Sequence, residues 1–327
     1  MQRRHFVQTA LGAATSPWWG TTGWAQGGAW PDRPVKWIVS QPAGAGPDIL
    51  ARYLAGLLGK VWNQSVVVEN RPGGQNVIGA QAAARSPADG YTLYYATTAA
   101  MVTNLYTFKT LPYDPVKDFV PVRLVGRSPF VIACASGFAG KDLADTLARA
   151  KAQPGALAIA TEGPKTFSGM LADAVAKMAG VQFNHVPYTK ATDALQDVIG
   201  GRVPLVCLPD AALTAYIKAG QLRALATSTA QRQADMPNVP ALAELFPGFE
   251  YTGWNALFAP AGTPAEVVNR INRDLEAVLQ TPEVAQRLLA MGSAAEPRMT
   301  VAAFDTFMKN ERERWGQLVK TLGITAE

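Results

Sequence analysis

The residues of this sequence that could do chemistry are few, and they favour anion binding over catalysis. Ala43, Gly44, Ala45 and Gly46 form a glycine-rich turn between a predicted strand and a predicted helix. Small residues let the backbone approach a ligand closely, and a helix start offers unpaired N–H groups and a positive dipole end. The turn has neither the third glycine of a dinucleotide fingerprint nor the Gly-Lys-Ser/Thr of a P-loop. It predicts either contact with an anion or an ordinary tight turn, with Asp48 capping the helix or touching the ligand.

A second boundary between a strand and a helix carries hydroxyl groups. The segment from Thr161 to Ser168 reads Thr-Glu-Gly-Pro-Lys-Thr-Phe-Ser. Thr166 and Ser168 are suited to cap the helix that follows, and their hydroxyls can also be presented to a ligand. Two helix starts that face each other across a cleft would hold one carboxylate between them.

Residues for catalysis or metal binding are scarce. The sequence has two histidines, His5 and His185, and two cysteines. His185 lies beside strand residues and is interpreted as a structural histidine. No Gly-x-Ser-x-Gly motif marks a nucleophile, and the cysteine count excludes a four-thiolate zinc site. We therefore expect no catalytic residue and no metal, with an all-carboxylate metal site as the alternative that stays open.

The composition excludes two further classes of protein. Hydrophobic residues make up 48% of the 327 positions, which is enough apolar surface to exclude intrinsic disorder. The formal net charge is +5, yet no run of five or more Lys or Arg residues occurs. A nucleic-acid partner would need a basic stripe, so none is expected.

Residues 1–26 have the pattern of an export signal. A basic start that includes Arg3 and Arg4 precedes a short, weakly apolar stretch and a small-residue site at Ala25. The Arg-Arg-x-Phe sequence resembles the twin-arginine motif; the alternative is an amphipathic N-terminal helix. We expect a soluble periplasmic protein. In that oxidising compartment Cys134 and Cys207 could pair, but each lies in an apolar run, which favours two buried, unpaired strand cysteines.

The elements that must position these residues alternate between strand and helix, which is typical of parallel α/β sheets. A strand pair at 120–126 and 129–135 has no helix between its members, and it predicts that the chain crosses there into a second α/β unit. A strand near 251–259 returns to the first unit. The predicted fold is therefore α/β with two lobes, each a mostly parallel sheet flanked by helices, and a ligand cleft between them. Lobe 1 would take residues 30–126 plus about 250–327, and lobe 2 about 127–249.

Ordered motifs across residues 30–325 carry a family resemblance. They include Trp30-Pro-Asp-Arg-Pro-Val35, Pro42-Ala-Gly-Ala-Gly-Pro-Asp48, Pro87-Ala-Asp-Gly-Tyr-Thr-Leu93, Leu111-Pro-Tyr-Asp-Pro-Val-Lys-Asp-Phe119, His185-Val-Pro-Tyr188 and Ala259-Pro-Ala-Gly-Thr-Pro264. Together they resemble the substrate-binding receptors of tripartite tricarboxylate transporters, also called the Bug family.

The resemblance implies a type II periplasmic binding fold that closes on a small organic acid. It implies no cofactor, and it implies membrane permease subunits as partners; we expect a monomer. The ligand carboxylate would be held mainly by backbone N–H groups and hydroxyls. Position by position, this site carries over to Ala43, Gly44, Ala45, Gly46, Asp48, Thr97, Thr98, Thr166 and Ser168.

Departures from the family pattern bear on the ligand. Phe167 replaces a common serine, and Leu208 stands where many members have aspartate, so a more apolar pocket without an amine-recognising carboxylate is expected. Lys165 could offer a cation to a second acid group. Two other functions stay open at this point: a ligand sensor for a membrane signalling protein, and an enzyme on the same fold.

Overall fold

The computed structural model describes residues 30–326, so the predicted export signal lies outside the described residues. The strands of this part are β1 (Val35–Val39), β2 (Val66–Asn70), β3 (Thr92–Thr97), β4 (Phe119–Ser128), β5 (Phe130–Ala135), β6 (Ala158–Thr161), β7 (Asn184–Pro187), β8 (Leu205–Pro209), β9 (Leu222–Thr227), β10 (Gly253–Pro260) and β11 (Ala294–Ala295). The helices are α1 (Gly46–Trp62), α2 (Val77–Ala84), α3 (Asn104–Thr107), α4 (Leu143–Ala152), α5 (Phe167–Ala179), α6 (Ala191–Ile199), α7 (Asp210–Lys218), α8 (Leu242–Leu245), α9 (Ala265–Leu279), α10 (Pro282–Ala290) and α11 (Val301–Leu322).

The strands form two separate sheets. The first has the order β11-β4-β10-β3-β1-β2 and the second β7-β6-β8-β5-β9. β1 is parallel to β2 and β3, and β6 is parallel to β7 and β8, as helical crossovers require. β10 and β5 run antiparallel to the strands on both sides of them. The predicted two-lobed α/β fold is confirmed, and the boundaries assigned to the lobes stay predictions.

The two strands expected at 120–126 and 129–135, with the crossover into the second unit between them, are β4 and β5. β4 ends at Ser128 and β5 begins at Phe130, so only Pro129 lies between them. The commonest tight hairpins need a two-residue loop. The chain therefore runs on from the first sheet into the second, where β5 pairs with β8 and β9 instead.

The first sheet fixes α1, the helix that begins at the glycine-rich turn. Leu50, Leu54 and Leu58 are 3% exposed or less, and they pack in one cluster with Trp37 of β1. Burying each leucine is worth roughly 1.5–3 kcal/mol. Ile49, next to this stripe in the sequence, is 47% exposed. The leucine stripe holds the start of α1 at the carboxyl end of β1.

Hydrogen bonds between distant segments hold the crossover. Ser228 donates its N–H to the Phe130 carbonyl at 2.9 Å, and its hydroxyl accepts the Phe130 N–H at 3.0 Å. The Asp210 N–H donates to the Pro129 carbonyl at 2.9 Å. Ser228 is fully buried. These bonds tie the starts of β5 and α7 to the end of β9 at the junction of the two sheets.

An aromatic cluster joins the lobes beside this crossover. Phe167, the first residue of α5, stacks on Phe130 with ring centroids 4.5 Å apart and meets Trp315 of α11 at 4.8 Å. Tyr251 packs edge-on against Trp315 at 5.3 Å. The C-terminal helix is therefore packed against the first helix turn of the second lobe.

The two cysteines lie on adjacent strands and are both free. Cys134 of β5 pairs with Leu205, and Cys207 of β8 pairs with Ile132. Both side chains are fully buried, and burial raises the pKa of each thiol. This agrees with the interpretation as two buried, unpaired strand cysteines.

Candidate functional site

The carboxyl ends of the parallel strands in both sheets border the same crossover. Thr97, the last residue of β3, pairs with Asn255, and Gly253 of the same strand β10 pairs with Ser128. In the second sheet Pro209, the last residue of β8, pairs with Phe130. The loops that follow β1 and β6 therefore leave facing edges of the two sheets. Open α/β sheets bind ligands in the crevice outside the carboxyl ends of their strands.

The loop after β1 presents exposed backbone. Gly44 has φ +84°, and a Cβ built there would meet nothing within 4 Å. The Ala45 N–H closes a tight turn onto the Pro42 carbonyl at 3.2 Å. Ala43, Gly44 and Gly46 are exposed. Within residues 30–326, the N–H groups of Ala43 and Gly46 have no acceptor. An anion at the start of α1 can be bound by these two groups.

Asp48 is used inside the loop. It is 1% exposed, and its carboxylate accepts the Gly44 N–H at 2.8 Å, Asn70 Nδ2 at 2.7 Å and Arg52 Nε at 3.0 Å. Burial raises the pKa of Asp48, but Arg52, the Gly44 N–H and Asn70 outweigh it, so the pKa lies below its ordinary value. The carboxylate holds the turn onto the first turn of α1. The expectation that Asp48 caps α1 is wrong, because the N-cap is Ala45 and no side chain caps it. Contact of Asp48 with a ligand stays a prediction.

Sequence reasoning missed the amide side chains beneath the loop. Gln41 Nε2 donates to Asn76 Oδ1 at 2.8 Å, and Asn70 Nδ2 donates to the Gln41 carbonyl at 3.0 Å. These residues tie the loop after β1 to the loop after β2. Their signal in the sequence was position alone, since each lies at or just beyond the end of a strand or the start of a helix.

The hydroxyls at the start of α5 bond to one another and to the loop. Thr166 is the N-cap; its Oγ1 donates to the Gly163 carbonyl at 2.6 Å and accepts the Gly169 N–H at 3.4 Å. Ser168 Oγ accepts the Glu162 N–H at 2.9 Å and lies 3.0 Å from Thr166 Oγ1. Ser168 is fully buried. Thr166 therefore caps α5, and both hydroxyls bond to the loop before it. Contact of these hydroxyls with a ligand stays a prediction.

The two apolar residues expected to line the pocket are both buried. Phe167 is 7% exposed and belongs to the aromatic cluster of the crossover. Leu208 is 1% exposed and packs with Val131 and Leu213 in the core of the second lobe. Contact of these two side chains with a ligand stays a prediction. Their role is to hold β8 and the start of α5 in place.

The two threonines after β3 differ in exposure. Thr98 is 2% exposed, and its hydroxyl accepts the N–H of Trp254 at 2.9 Å. Thr97 is half-buried at the end of β3. Thr98 therefore fixes the start of β10 to the end of β3, and Thr97 is the one of the pair with an accessible surface.

Glu162 is an exposed acid that sequence reasoning did not single out. It follows β6 directly, and its side chain is exposed. Surrounding protein nevertheless raises the pKa of its carboxyl, which the Ser168 hydroxyl partly opposes. A group that water reaches and protein still desolvates is expected of a crevice wall. Glu162 thus places an exposed carboxylate on this loop, and the expectation of a pocket without an amine-recognising carboxylate stays a prediction.

His185 is held by side chains of its own lobe. Its Nε2 lies 2.8 Å from Asp173 Oδ1, and its Nδ1 lies 3.4 Å from Thr161 Oγ1. Asp173 belongs to α5 and His185 to β7. The histidine joins a helix to the strand beneath it, as the structural interpretation expects. Lys165, in turn, donates to the Thr325 carbonyl at 3.3 Å, which links the loop after β6 to the C-terminal segment.

Two surface cavities lie away from these loops. One of about 600 Å³ runs along the end of α1 and the start of β2, and one of about 250 Å³ lies between α7 and α10. Neither is lined by a predicted site residue, so the site rests on the loops and their N–H groups. In residues 30–326 no cluster of His, Cys, Asp and Glu is arranged to hold a metal. No helix of this described part combines the length and the apolar character of a membrane span.

Related sequences match this chain over most of its length. The sequence model of the tripartite tricarboxylate transporter family receptor, TctC, matches residues 50–324. A UPF0065 protein of Bordetella bronchiseptica is 35% identical over 92% of this chain and 89% of its own length. Protein BugT of Bordetella pertussis is 34% identical over 90% of each.

Solved structures share the fold. "R. palustris Rpa4515 with adipate" has a TM-score of 0.82 and 31% identity, over 91% of this chain and all of that one. The periplasmic binding protein BugD has a TM-score of 0.78 and 27% identity, over 91% of this chain and 100% of that one. MatC of Rhodopseudomonas palustris with bound malate has a TM-score of 0.77 and 26% identity, over 89% and 100%.

Proposed function

This chain belongs to the family of tripartite tricarboxylate transporter receptors, and from that premise we propose that it captures a small organic acid in the periplasm for a membrane permease. Two solved relatives hold carboxylates, adipate and malate, and a third is described as periplasmic. The family membership and the residues of the chain point in the same direction.

The observation that carries the proposal is the pair of loops at the facing sheet edges. Each loop ends at a helix start, Gly46 for α1 and Phe167 for α5. The N–H groups of Ala43 and Gly46 have no acceptor among the described residues, so an anionic oxygen can satisfy them. A hydrogen bond to a charged group contributes about 1.5–3 kcal/mol. Two of these, with the dipole of α1, give a carboxylate a site without any basic side chain.

Binding between two lobes couples capture to closure. A ligand that touches the loops after β1 and β6 binds the closed arrangement preferentially, and so shifts the population towards it. The crossover bonds at Ser228 and the aromatic cluster around Phe167 lie where the lobes meet. We infer that the lobes move about this junction, and that a permease recognises the closed form.

The receptor acts without turnover, as a monomer and with no cofactor. The family members and structural neighbours are binding proteins. His185, the lone histidine of the described residues, is hydrogen-bonded to Asp173, and we assign it a structural role. We propose that residues 1–26 export the chain, with Arg3 and Arg4 directing it to the twin-arginine route. N-terminal sequencing of the periplasmic protein tests this: a start near residue 26 is expected, and an intact Met1 contradicts it.

Native mass spectrometry of protein purified from its own periplasm tests the capture of an acid. The expected spectrum contains a noncovalent adduct with the mass of a small carboxylic acid, which reappears when the identified acid is added back to refolded protein. Uptake of that acid by cells should fall when either the receptor gene or its permease genes are deleted. Chemical conversion of the bound acid, or uptake that is unchanged in the receptor deletion, contradicts the proposal.

A further inference from the structure

Glu162 is placed to read the end of a ligand that lies on the second lobe. It occupies the first position after β6, and its N–H is tied to Ser168 Oγ at 2.9 Å. That bond fixes the backbone of Glu162 against the buried first turn of α5. The side chain itself is exposed. A fixed backbone with an accessible carboxylate, on the edge that faces the first lobe, is the arrangement of a contact residue.

No cationic side chain among the described residues neutralises the charge of Glu162. Among residues 30–326, no Lys or Arg forms an ion pair with it, and the Ser168 hydroxyl is the one side chain that lowers the pKa of its carboxyl against the effect of burial. Asp48, the acid of the opposite loop, is neutralised by Arg52 at 3.0 Å. Lys165, the nearest cation in sequence, is engaged with the Thr325 carbonyl. A partly desolvated carboxylate without a counter-ion is costly, and a cationic ligand group would remove that cost.

The two loops therefore differ in sign. The loop after β1 offers N–H groups, which bind a carboxylate, whereas the loop after β6 offers a carboxylate, which binds a cation. A dicarboxylate in this cleft would put its second charge next to Glu162, and like charges disfavour binding. A ligand that carries an ammonium group at that end would pair with it.

We propose that Glu162 makes this receptor select carboxylic acids that also carry an ammonium group over dicarboxylates of the same chain length. The inference rests on the proposed function, since it assumes that the cleft binds an acid. It deepens that function by naming the substrate class and the residue that sets it.

Isothermal titration calorimetry with two matched series tests the inference. One series is succinate, glutarate and adipate; the other is 4-aminobutanoate, 5-aminopentanoate and 6-aminohexanoate. The wild type should bind the best amino acid at least about tenfold more tightly than the dicarboxylate of equal length. The reason is that Glu162 attracts the ammonium group of the amino acid and repels the second carboxylate of the dicarboxylate. Glu162→Gln keeps the shape of the side chain and should reduce that preference about tenfold or more.

Glu266→Gln is the control, because Glu266 is an exposed residue in the first turn of α9. It should leave both series unchanged, and thermal unfolding should show that both variants are folded. If the wild type binds dicarboxylates at least as well as amino acids and Glu162→Gln leaves the ratio unchanged, the inference is overturned while the proposed function stands. If neither protein binds any member of either series, or any acid recovered from the native protein, the proposed function fails and the inference fails with it.

Discussion

Replacing Asp48 by Asn should loosen the loop after β1 while leaving its shape nearly unchanged. The Asp48 carboxylate accepts three donors, from Gly44, Asn70 and Arg52. An Asn side chain offers one oxygen and one NH₂ group in the same volume. If the oxygen faces Gly44 and Arg52, the NH₂ group meets Asn70 Nδ2. If Asn70 turns its amide round to accept, its own NH₂ group meets Arg52, which donates to Asn70 Oδ1 at 2.7 Å in the wild type.

Every arrangement of Asp48→Asn thus leaves one donor opposed to another. A buried unsatisfied group costs about 1–3 kcal/mol, and hydrogen bonds to a charge are stronger than neutral ones. Because Asp48 is 1% exposed, water does not replace the lost partner. We expect the free energy of unfolding to fall by about 2–4 kcal/mol. We also expect ligand affinity to fall about tenfold, because the Ala43 and Gly46 N–H groups lose their fixed positions.

The stability effect should depend on pH in a stated direction. The pKa of Asp48 in the folded protein lies below its ordinary value of 3.8. Its stabilisation is therefore complete well above pH 3.8 and is lost as the pH falls through the lowered pKa. Urea unfolding should show the largest difference between wild type and Asp48→Asn at neutral pH, and a shrinking difference in acid.

The chain supplies a matched control. Asp145 of α4 accepts the N–H of Lys141 at 2.9 Å and Arg149 Nε at 3.2 Å, the same spacing as Asp48 with Gly44 and Arg52. Its side chain is 33% exposed. Asp145→Asn should destabilise less and leave affinity unchanged. Equal losses of stability in the two variants, or wild-type affinity in Asp48→Asn, would refute the reasoning that burial and the loop make Asp48 special.

Four further predictions concern the loop, the junction, closure and the thiols. Gly44→Val should weaken binding of the native acid about tenfold or more, because a branched side chain enters the open space before the loop. The control is Gly155→Val, which is also at positive φ (+73°) with open space around it, and which should lower the stability by a similar amount. Calorimetry should find the affinity of this control unchanged. Phe167→Ala should lower the free energy of unfolding by about 3–5 kcal/mol in urea titrations, since it empties the space between Phe130 and Trp315; a loss no larger than that of an exposed substitution would contradict the packing. Small-angle scattering should give a smaller radius of gyration with the native acid bound than without it, and equal radii would argue against closure. Thiol titration without reductant should find no fast-reacting thiol in the folded protein and two after denaturation, because Cys134 and Cys207 are buried and free; fewer than two would indicate a disulfide.

Local patterns predicted most of the elements because their causes are local. The leucine stripe at Leu50, Leu54 and Leu58 has helical spacing, which predicts one buried helix face, and all three side chains are buried. Gly44 indicated a tight turn, and its φ of +84° agrees with this. Thr166 indicated a cap, and it accepts the Gly169 N–H at 3.4 Å. Each of these features depends on residues within a few positions of one another.

Which residues face the space between the lobes depended on the tertiary structure. Phe167 and Leu208 looked like pocket walls in the sequence, but long-range packing on Trp315 and on Val131 buries them. The Asp48 carboxylate of α1 is engaged by the side chain of Asn70, which lies in β2. Glu162 gave no sequence signal, since an acid after a strand is ordinary until the crossover sets that strand's end against the other lobe.

The sequence by itself determined the alternation of strands and helices, the tight glycine-rich turn at 43–46 and the scarcity of residues suited to catalysis. Those properties follow from periodicity, glycine and residue counts, which need no partner from elsewhere in the chain. Only the tertiary structure decided which strands pair within each sheet, and that one loop offers N–H groups while the other offers a carboxylate. Strand pairing and solvent exposure are fixed by contacts between residues far apart in the chain, and the free energy of those contacts exists only once both partners are in place.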